Sequence, residues 1–530
     1  MIPPPHKLVV PTDGMVIRES IRLAPGTHVL PAGLTIAADG VTLDGTDAVL
    51  IGADDRGEGI RLHGRRDVTI RGCGIVGYKH GIVASRGERL TLSGNRIRGT
   101  AEVPANTVFL DIWRAADDPY GGAILLRDVR DSTIEDNDVQ HQMNGLLAYG
   151  CRRLTVRRNL ANYCSGFGFH LFETSDSVYE ENYADYCCRY HPRGERSGHL
   201  GADATGFLIV FRSCGNTFRR NFARLGGDGF FLAGMTPKME KAPCNDNVFE
   251  QNDASHSPNN AFEATCSRRN TFRDNRADYC NYGFWLGYSR DNVLENNRIY
   301  RNRQAGIAVE HGRGMIVRGN QFLGNGHGVL LWTKRIDAFQ EAFPELRVSH
   351  DWRIEGNSFR EDNKAVRIVS DQDHGVRDLT PPPKTHLRPS DHVIAGNTFQ
   401  DHRIAVEVIR CDETKIENNT FDATIEADIR EADCRGTVRR NNRNAKGEPV
   451  ARRRAGAVDR VAGRGQPGGT TIQTAADSAS QRSDRSRTDE LAREFEKAFG
   501  GVSRSGIRRR LWWIVLVLVG AGLLIASRAF

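Results

Sequence analysis

Hydrophobic residues make up only 39% of this 530-residue chain, and methionine and tryptophan number six each. Before residue 485 no stretch shows the three-and-four spacing of a long amphipathic helix, and no Gly-X-Y period appears. A helical bundle and a collagen are thereby excluded. The opening "MIPPPHKLVVPTDG" has neither a basic start nor an apolar run, so it does not read as a signal peptide. The eleven cysteines are odd in number and fall in no CxxC metal pattern. A body-wide excess of positive charge is missing too. Lys and Arg exceed Asp and Glu by seven overall, but the segment from Lys446 to Arg510 holds fifteen basic against eight acidic residues. The rest of the chain is close to neutral and lacks the basic stripe that nucleic-acid binding requires.

What the chain does have is 55 glycines and a recurring asparagine. Asn137, Asn159 and Asn182 are spaced by 22 or 23 residues, as are Asn252, Asn275, Asn297 and Asn320, and again Asn397 and Asn419. Cys73 to Asn95 is 22. Wider gaps around Asn221 and Asn357 fit either one unit with an inserted loop or nearly two units. Each unit carries a short apolar run after a Gly- or Asn-rich turn, as in "GFHLFET", "GFLIVFR", "GFFLAGM", "AFEATCS", "GFWLGYS", "GIAVEHG" and "GVLLWTK". A second run such as "NVLENN" follows a polar turn. Runs of about five residues cannot bury a core alone, but stacked copies about 4.8 Å apart can. The expected fold class is all-β, a right-handed parallel β-helix with coils of about 22 residues. The repeated Asn is expected to form an internal amide ladder. Cys164, Cys187 and Cys280, each five residues after a ladder Asn, are expected to stack in the core.

From about Gly40 to Asn442 the chain resembles the pectate-lyase-like superfamily, in particular its PbH1-repeat, NosD-like branch of carbohydrate-binding and sugar-hydrolysis domains. "IRLAPGTHVLPAGLTIAADGVTLDG" is similar to the cap and first coil of such proteins. The resemblance implies the fold and leaves the activity open among lyase, hydrolase, epimerase and non-catalytic members. The epimerase-type "DPHD" signature is absent, and "DDPYGG" at Asp117–Gly122 is only superficially like it.

The expected organisation is a cap over 1–40, the β-helix over 41–445, a flexible linker over 446–488, a short amphipathic helix over 489–500 and a membrane anchor over 508–528. The uncharged run Leu511 to Ala526 is sixteen residues. At about 1.5 Å per residue it reaches roughly 24 Å, somewhat short of a ~30 Å hydrocarbon core. Trp512 and Trp513 suit one interface, and Arg508–Arg510 with Arg528 suit snorkelling outward. With the basic cluster ahead of the span, the body is expected on the cytoplasmic side; a start upstream of Met1 would permit exposure in the cell envelope.

Alternation along strands sorts the side chains. With Phe169, Phe207, Phe230, Phe262, Phe284, Ile307 and Val329 inward, one outward row reads His170, Leu208, Phe231, Glu263, Trp285, Ala308, Leu330. A second reads Phe172, Val210, Ala233, Thr265, Gly287, Glu310, Trp332. Asp228, Asn260, Tyr282 and His327 stand at the preceding turn. Insertions at Cys187–Asp203 and at "MTPKMEKAPCND" wall this face.

Aromatic residues beside carboxylates suit a sugar, which offers an apolar ring face and a rim of hydroxyls. Asp228, Glu263 and Glu310 are therefore the candidate catalytic residues. Substrate-binding candidates are His170, Phe172, His199, Asp203, Phe231, Asn260, Tyr282, Trp285, His311 and Trp332. Glu263 and Glu310 lie two coils apart, about 12 Å between backbones on ~4.8 Å and ~3.4 Å steps. Their side chains are long enough to close to the ~6.5–9.5 Å of an inverting hydrolase pair. Asp228 with Glu263 satisfies the same test, and spacing does not choose between them. Taken singly, each acid reads as an exposed surface residue, and His170, His191, His199 and His311 as turn or surface histidines.

Few Lys or Arg fall on the face, with Lys334 and Arg335 at its edge, so hydrolysis fits better than lyase chemistry. The leading expectation is a membrane-tethered β-helix acting on a polysaccharide or glycoconjugate. The alternatives are a non-catalytic glycan- or protein-binding scaffold on the same face and NosD-like service to a metalloenzyme. No cofactor is called for, and a divalent metal is left open. The oligomeric state has no sequence signal.

Overall fold

The computed structural model describes residues 7–104, 110–192, 198–200, 204–236, 238–333, 341–370 and 388–450. The linker from 451 onward, the short helix and the apolar run lie outside the described residues. Among the described residues no helix is long and apolar enough to cross a membrane.

Almost every strand pairs in parallel with its copy one coil away, beginning with Lys7–Val9 on Ile21–Leu23. Three-residue strands such as Thr271–Arg273 and Val293–Glu295 build a 17-stranded sheet. Six-residue strands such as Asp228–Ala233, Asn260–Thr265 and Ala305–Glu310 build a 16-stranded one. Shorter sheets of four and six strands form a third wall where a coil has room for it. An antiparallel pair, Tyr190–Pro192 with Gly198–Leu200, belongs to an insertion.

The core is the inside of the coil. Phe169, Phe207, Phe230, Phe262 and Phe284 stack at centroid spacings of 4.7, 4.6, 5.0 and 5.0 Å. Tyr179, Phe218, Phe249 and Phe272 form a second stack meeting the first edge-on. Edge-to-face packing between offset stacks is a favoured aromatic geometry.

The Asn ladder runs through the turns as expected. Asn275 donates from both its backbone N and its Nδ2 to Asn297 Oδ1, at 2.9 and 3.1 Å, and Nδ2 also donates to Phe249 O. Asn182 bonds Asn221, Asn221 bonds Asn252, Asn320 bonds Asn357 and Asn357 bonds Asn397 in the same way. Each wide gap is therefore one coil plus an inserted loop. The residue before a ladder Asn is left-handed, as at Asp274 and Asn296, and Gly319 meets that demand without a Cβ. Cys164, Cys187 and Cys280 are buried, with thiols against carbonyls of the preceding coil at Val139, Ala161 and Ala254.

Candidate functional site

The outward rows lie where alternation put them, on the 16-stranded sheet. Glu263 pairs across strands with Phe231 on one side and Trp285 on the other, and Trp285 with Ala308. Phe284 and Leu286 belong to the core cluster and Trp285 does not.

The face is nevertheless closed to solvent. Asp228, Asn260 and Glu263 are 0% exposed, Trp285 is 6% and Glu310 8%. The reading of each acid as an exposed surface residue is thus corrected, and so is that of His170 and His311, both buried. Part of the physical reason is chain that leaves the ends of the long strands and packs on the outer side near Tyr288 and His311. After Ala233 the chain turns back through an antiparallel bridge between Met235 and Lys241. Farther along, Phe343 lies 6.1 Å from the Tyr288 ring, with Lys241 4.8 Å from the Phe343 centroid. Leu346 O is 2.9 Å from His311 Nδ1, and Glu345 pairs with Arg290 at 3.4 Å.

Under this cover the acids separate into two environments. Asp228 Oδ1 accepts the backbone N–H of Asn260 at 2.7 Å, and Asn260 Nδ2 donates to Glu263 Oε2 at 2.6 Å. Residues three apart on a straight strand face opposite ways; here Ala261 and Phe262 both enter the core, so the chain bends and Asn260 and Glu263 share the outer side. Burial and the nearby Asp228 carboxylate hold Glu263 well above the usual carboxylate range, outweighing the Asn260 amide. Glu310 is satisfied differently, by Tyr288 OH at 3.1 Å and Trp332 Nε1 at 3.0 Å. Burial, then Glu310, pushes the Tyr288 phenol above its ordinary pKa.

Between the two environments stands Trp285, its ring 4.9 Å from Tyr282 and 5.1 Å from Trp332. Phe231 is buried beside Glu263. His170 lies farther up the sheet among Tyr149, Phe167 and Phe172, and burial lowers its pKa to about 3. His311 stacks on Tyr288 at 4.8 Å. The side chain of His199, and all of Asp203, lie outside the described residues.

Several residues escaped the sequence reading. Tyr288 and Phe343 sit in turns or insertions, where no alternation rule applies. Lys364, Arg367 and Glu407 form a buried ion cluster on the same face, with Lys364 Nζ and Arg367 Nε at 2.6 and 3.0 Å from Glu407 Oε2. Their signal was available: Leu330, Arg367, Glu407 and Arg430 continue the row of Glu263 and Trp285 in register.

A family model described as "Right handed beta helix region" matches residues 205–338, and one described as "Periplasmic copper-binding protein (NosD)" matches residues 32–184. No curated protein matches the chain. Among solved structures, the A-module of the Azotobacter vinelandii mannuronan C-5 epimerase AlgE6 is 13% identical, covering 80% of this chain and 91% of that one at a TM-score of 0.32. The periplasmic alginate epimerase AlgG is 11% identical, covering 78% of each chain at 0.36. DFA-IIIase of Arthrobacter chlorophenolicus A6 is 13% identical, covering 64% and 71% at 0.31. With its all-but-uniform parallel pairing and these family matches, the chain is a right-handed parallel β-helix protein.

Among the described residues no group of three or more His, Cys, Asp or Glu is placed to hold a metal. In the NosD-matched stretch the Cys73 and Cys151 thiols are buried, and burial pushes their pKa up to about 12.

Proposed function

We propose that the protein binds and hydrolyses a carbohydrate on the outward face between Asp228 and Trp332, with Glu263 as general acid and Asp228 as its partner carboxylate. The observation that carries this reading is the asymmetric pair. Asn260 bridges two buried carboxyl groups, and burial together with the neighbouring Asp228 raises the pKa of Glu263 well above the usual carboxylate range. A glycosidase needs such an acid beside a second carboxylate. Of the two pairings open from spacing, Asp228–Glu263 is preferred because both oxygens of Glu310 are engaged by Tyr288 and Trp332. Glu310 then acts as a positioning residue that orients the aromatic wall. Sugar entry requires the segment bearing Phe343 and Leu346 to lift from Tyr288 and His311. The apolar run Leu511–Ala526 is retained in this proposal as the membrane tether.

The test is release of reducing ends from a glycan panel by the full chain, which is expected to sediment with membranes. Glu263→Gln should lower turnover by about 10²–10⁴-fold, the usual contribution of a positioned acid, while glycan binding persists. Turnover should fall as pH rises through the elevated Glu263 pKa. Activity surviving in both Glu263→Gln and Asp228→Asn would sink the assignment. Binding without turnover is the second reading, favoured by the closure of the face; it predicts glycan retention and no product from the unaltered chain.

A further inference from the structure

We infer that the unit held beside Glu263 and Trp285 is a neutral sugar read through its hydroxyls, and neither a uronate nor an amino sugar. The inference rests on the carbohydrate reading above and narrows it.

Three polar atoms on neighbouring residues of this face are buried without a hydrogen-bond partner: Glu263 Oε1, Asn260 Oδ1 and Trp285 Nε1. Their residues are more than nine-tenths buried. Buried polar groups ordinarily find partners, and a cluster left without them points to a ligand that supplies them. The chemistry of the three is mixed. An indole N–H only donates and an amide oxygen only accepts, while the Glu263 carboxyl accepts when ionised and donates when protonated. A sugar hydroxyl does both at once. A uronate carboxylate only accepts, so it would satisfy Trp285 Nε1 and leave Asn260 Oδ1 facing another acceptor. An ammonium only donates, and would leave Trp285 Nε1 unmatched.

Charge points the same way against a uronate. Glu310 is held by two neutral donors, Tyr288 OH and Trp332 Nε1, and among the described residues no lysine, arginine or histidine is ion-paired with it or with Glu263, so a uronate carboxylate finds no paired cation there. The cations farther along the face, Arg367 in the row and Lys364 at the start of its strand, are tied to Glu407. The aromatic wall of Tyr282, Trp285 and Trp332 supplies the apolar surface that a neutral pyranose ring needs.

The experiment is calorimetric titration of the full chain with neutral gluco-, manno- and galacto-oligosaccharides, oligogalacturonate and chitosan oligomers, at two salt concentrations. A neutral oligosaccharide should bind at least tenfold more tightly than either charged probe, with little salt dependence. Trp285→Phe keeps a ring and loses the N–H, and should weaken that binding about tenfold. Preference for oligogalacturonate or chitosan in the unaltered chain would overturn the inference and leave the carbohydrate reading standing. Failure of every glycan to bind would overturn both.

Discussion

Asp362 stands where a second asparagine ladder continues. Asn302 Nδ2 donates to Asn325 Oδ1, and Asn325 gives its N–H and Nδ2 to Asp362 Oδ1 at 2.7 and 2.8 Å. In each preceding rung the remaining side-chain atom is an amide that donates to the coil behind, as Asn325 does to Ile299 O. Asp362 has there an oxygen, Oδ2, buried without a partner. Burial raises its pKa to about 8 despite the two Asn325 bonds, with Glu361 adding a little. His402 packs against the same turn, its Nδ1 3.0 Å from Asp362 O, and burial lowers its pKa, so it does not offset the carboxylate. Between about pH 4 and 8 the folded chain therefore keeps a proton that the unfolded chain, with an aspartate pKa near 3.9, releases. Stability falls as pH rises through that window. Asp362→Asn supplies the missing donor. It should raise stability at pH 8 by about 1–3 kcal/mol, the scale of an unsatisfied buried group, and flatten the Tm-versus-pH curve from pH 4 to 8. A variant with the original slope would show that another group titrates.

At the scale of the element, the ladder and the phenylalanine stack set each coil on the next. Asn252 Oδ1 accepts both donors of Asn221, and its Nδ2 donates to Phe218 O. Asn252→Ala would strand two donors and a carbonyl in a dry interior. It should cost about 2–4 kcal/mol in urea unfolding, given ~1–3 kcal/mol for each unsatisfied group and some relaxation. A loss below about 0.5 kcal/mol would mean that water replaces the amide. These elements were legible because they obey fixed periods: two along a strand, about 22 along the chain. Trp285 was placed outward on parity alone, and Phe284 and Leu286 inward. The closure of the outward face was not legible. Phe343 reaches Tyr288 across 55 positions of sequence, and no periodic rule governs where an insertion folds back. The contact of Asn260 with Glu263 was hidden for a related reason, since the bend at Ala261 and Phe262 breaks the alternation that sorted everything else.

For the whole molecule, the near-neutral body hides an ordered charge pattern. Along one outward row of the 17-stranded sheet the register reads Glu135, Arg157, Glu180, Arg219, Glu250, Arg273, Glu295, Arg318, Glu355. The sign changes at every coil. Arg157 meets Glu135 at 2.7 Å, Arg219 meets Glu180 at 2.8 Å, and Arg273 meets Glu250. Coils this alike in length and core can slip by one along the stack, and a slip by one sets like charge against like. The row therefore favours the observed order over its nearest competitor, although each half-exposed pair by itself is worth only ~0–1 kcal/mol. Arg219→Glu would make three successive rungs of the row glutamate, counting Glu180 and Glu250. It should lower stability by about 1 kcal/mol in dilute buffer and recover most of that loss in 1 M salt, where screening acts within about 3 Å. Arg219→Gln, which removes attraction without adding repulsion, should fall between the two. A deficit for Arg219→Glu that is unchanged by salt would mean that Arg219 acts through packing of its aliphatic stem, and the alternating row would lose its role in setting the order of the coils.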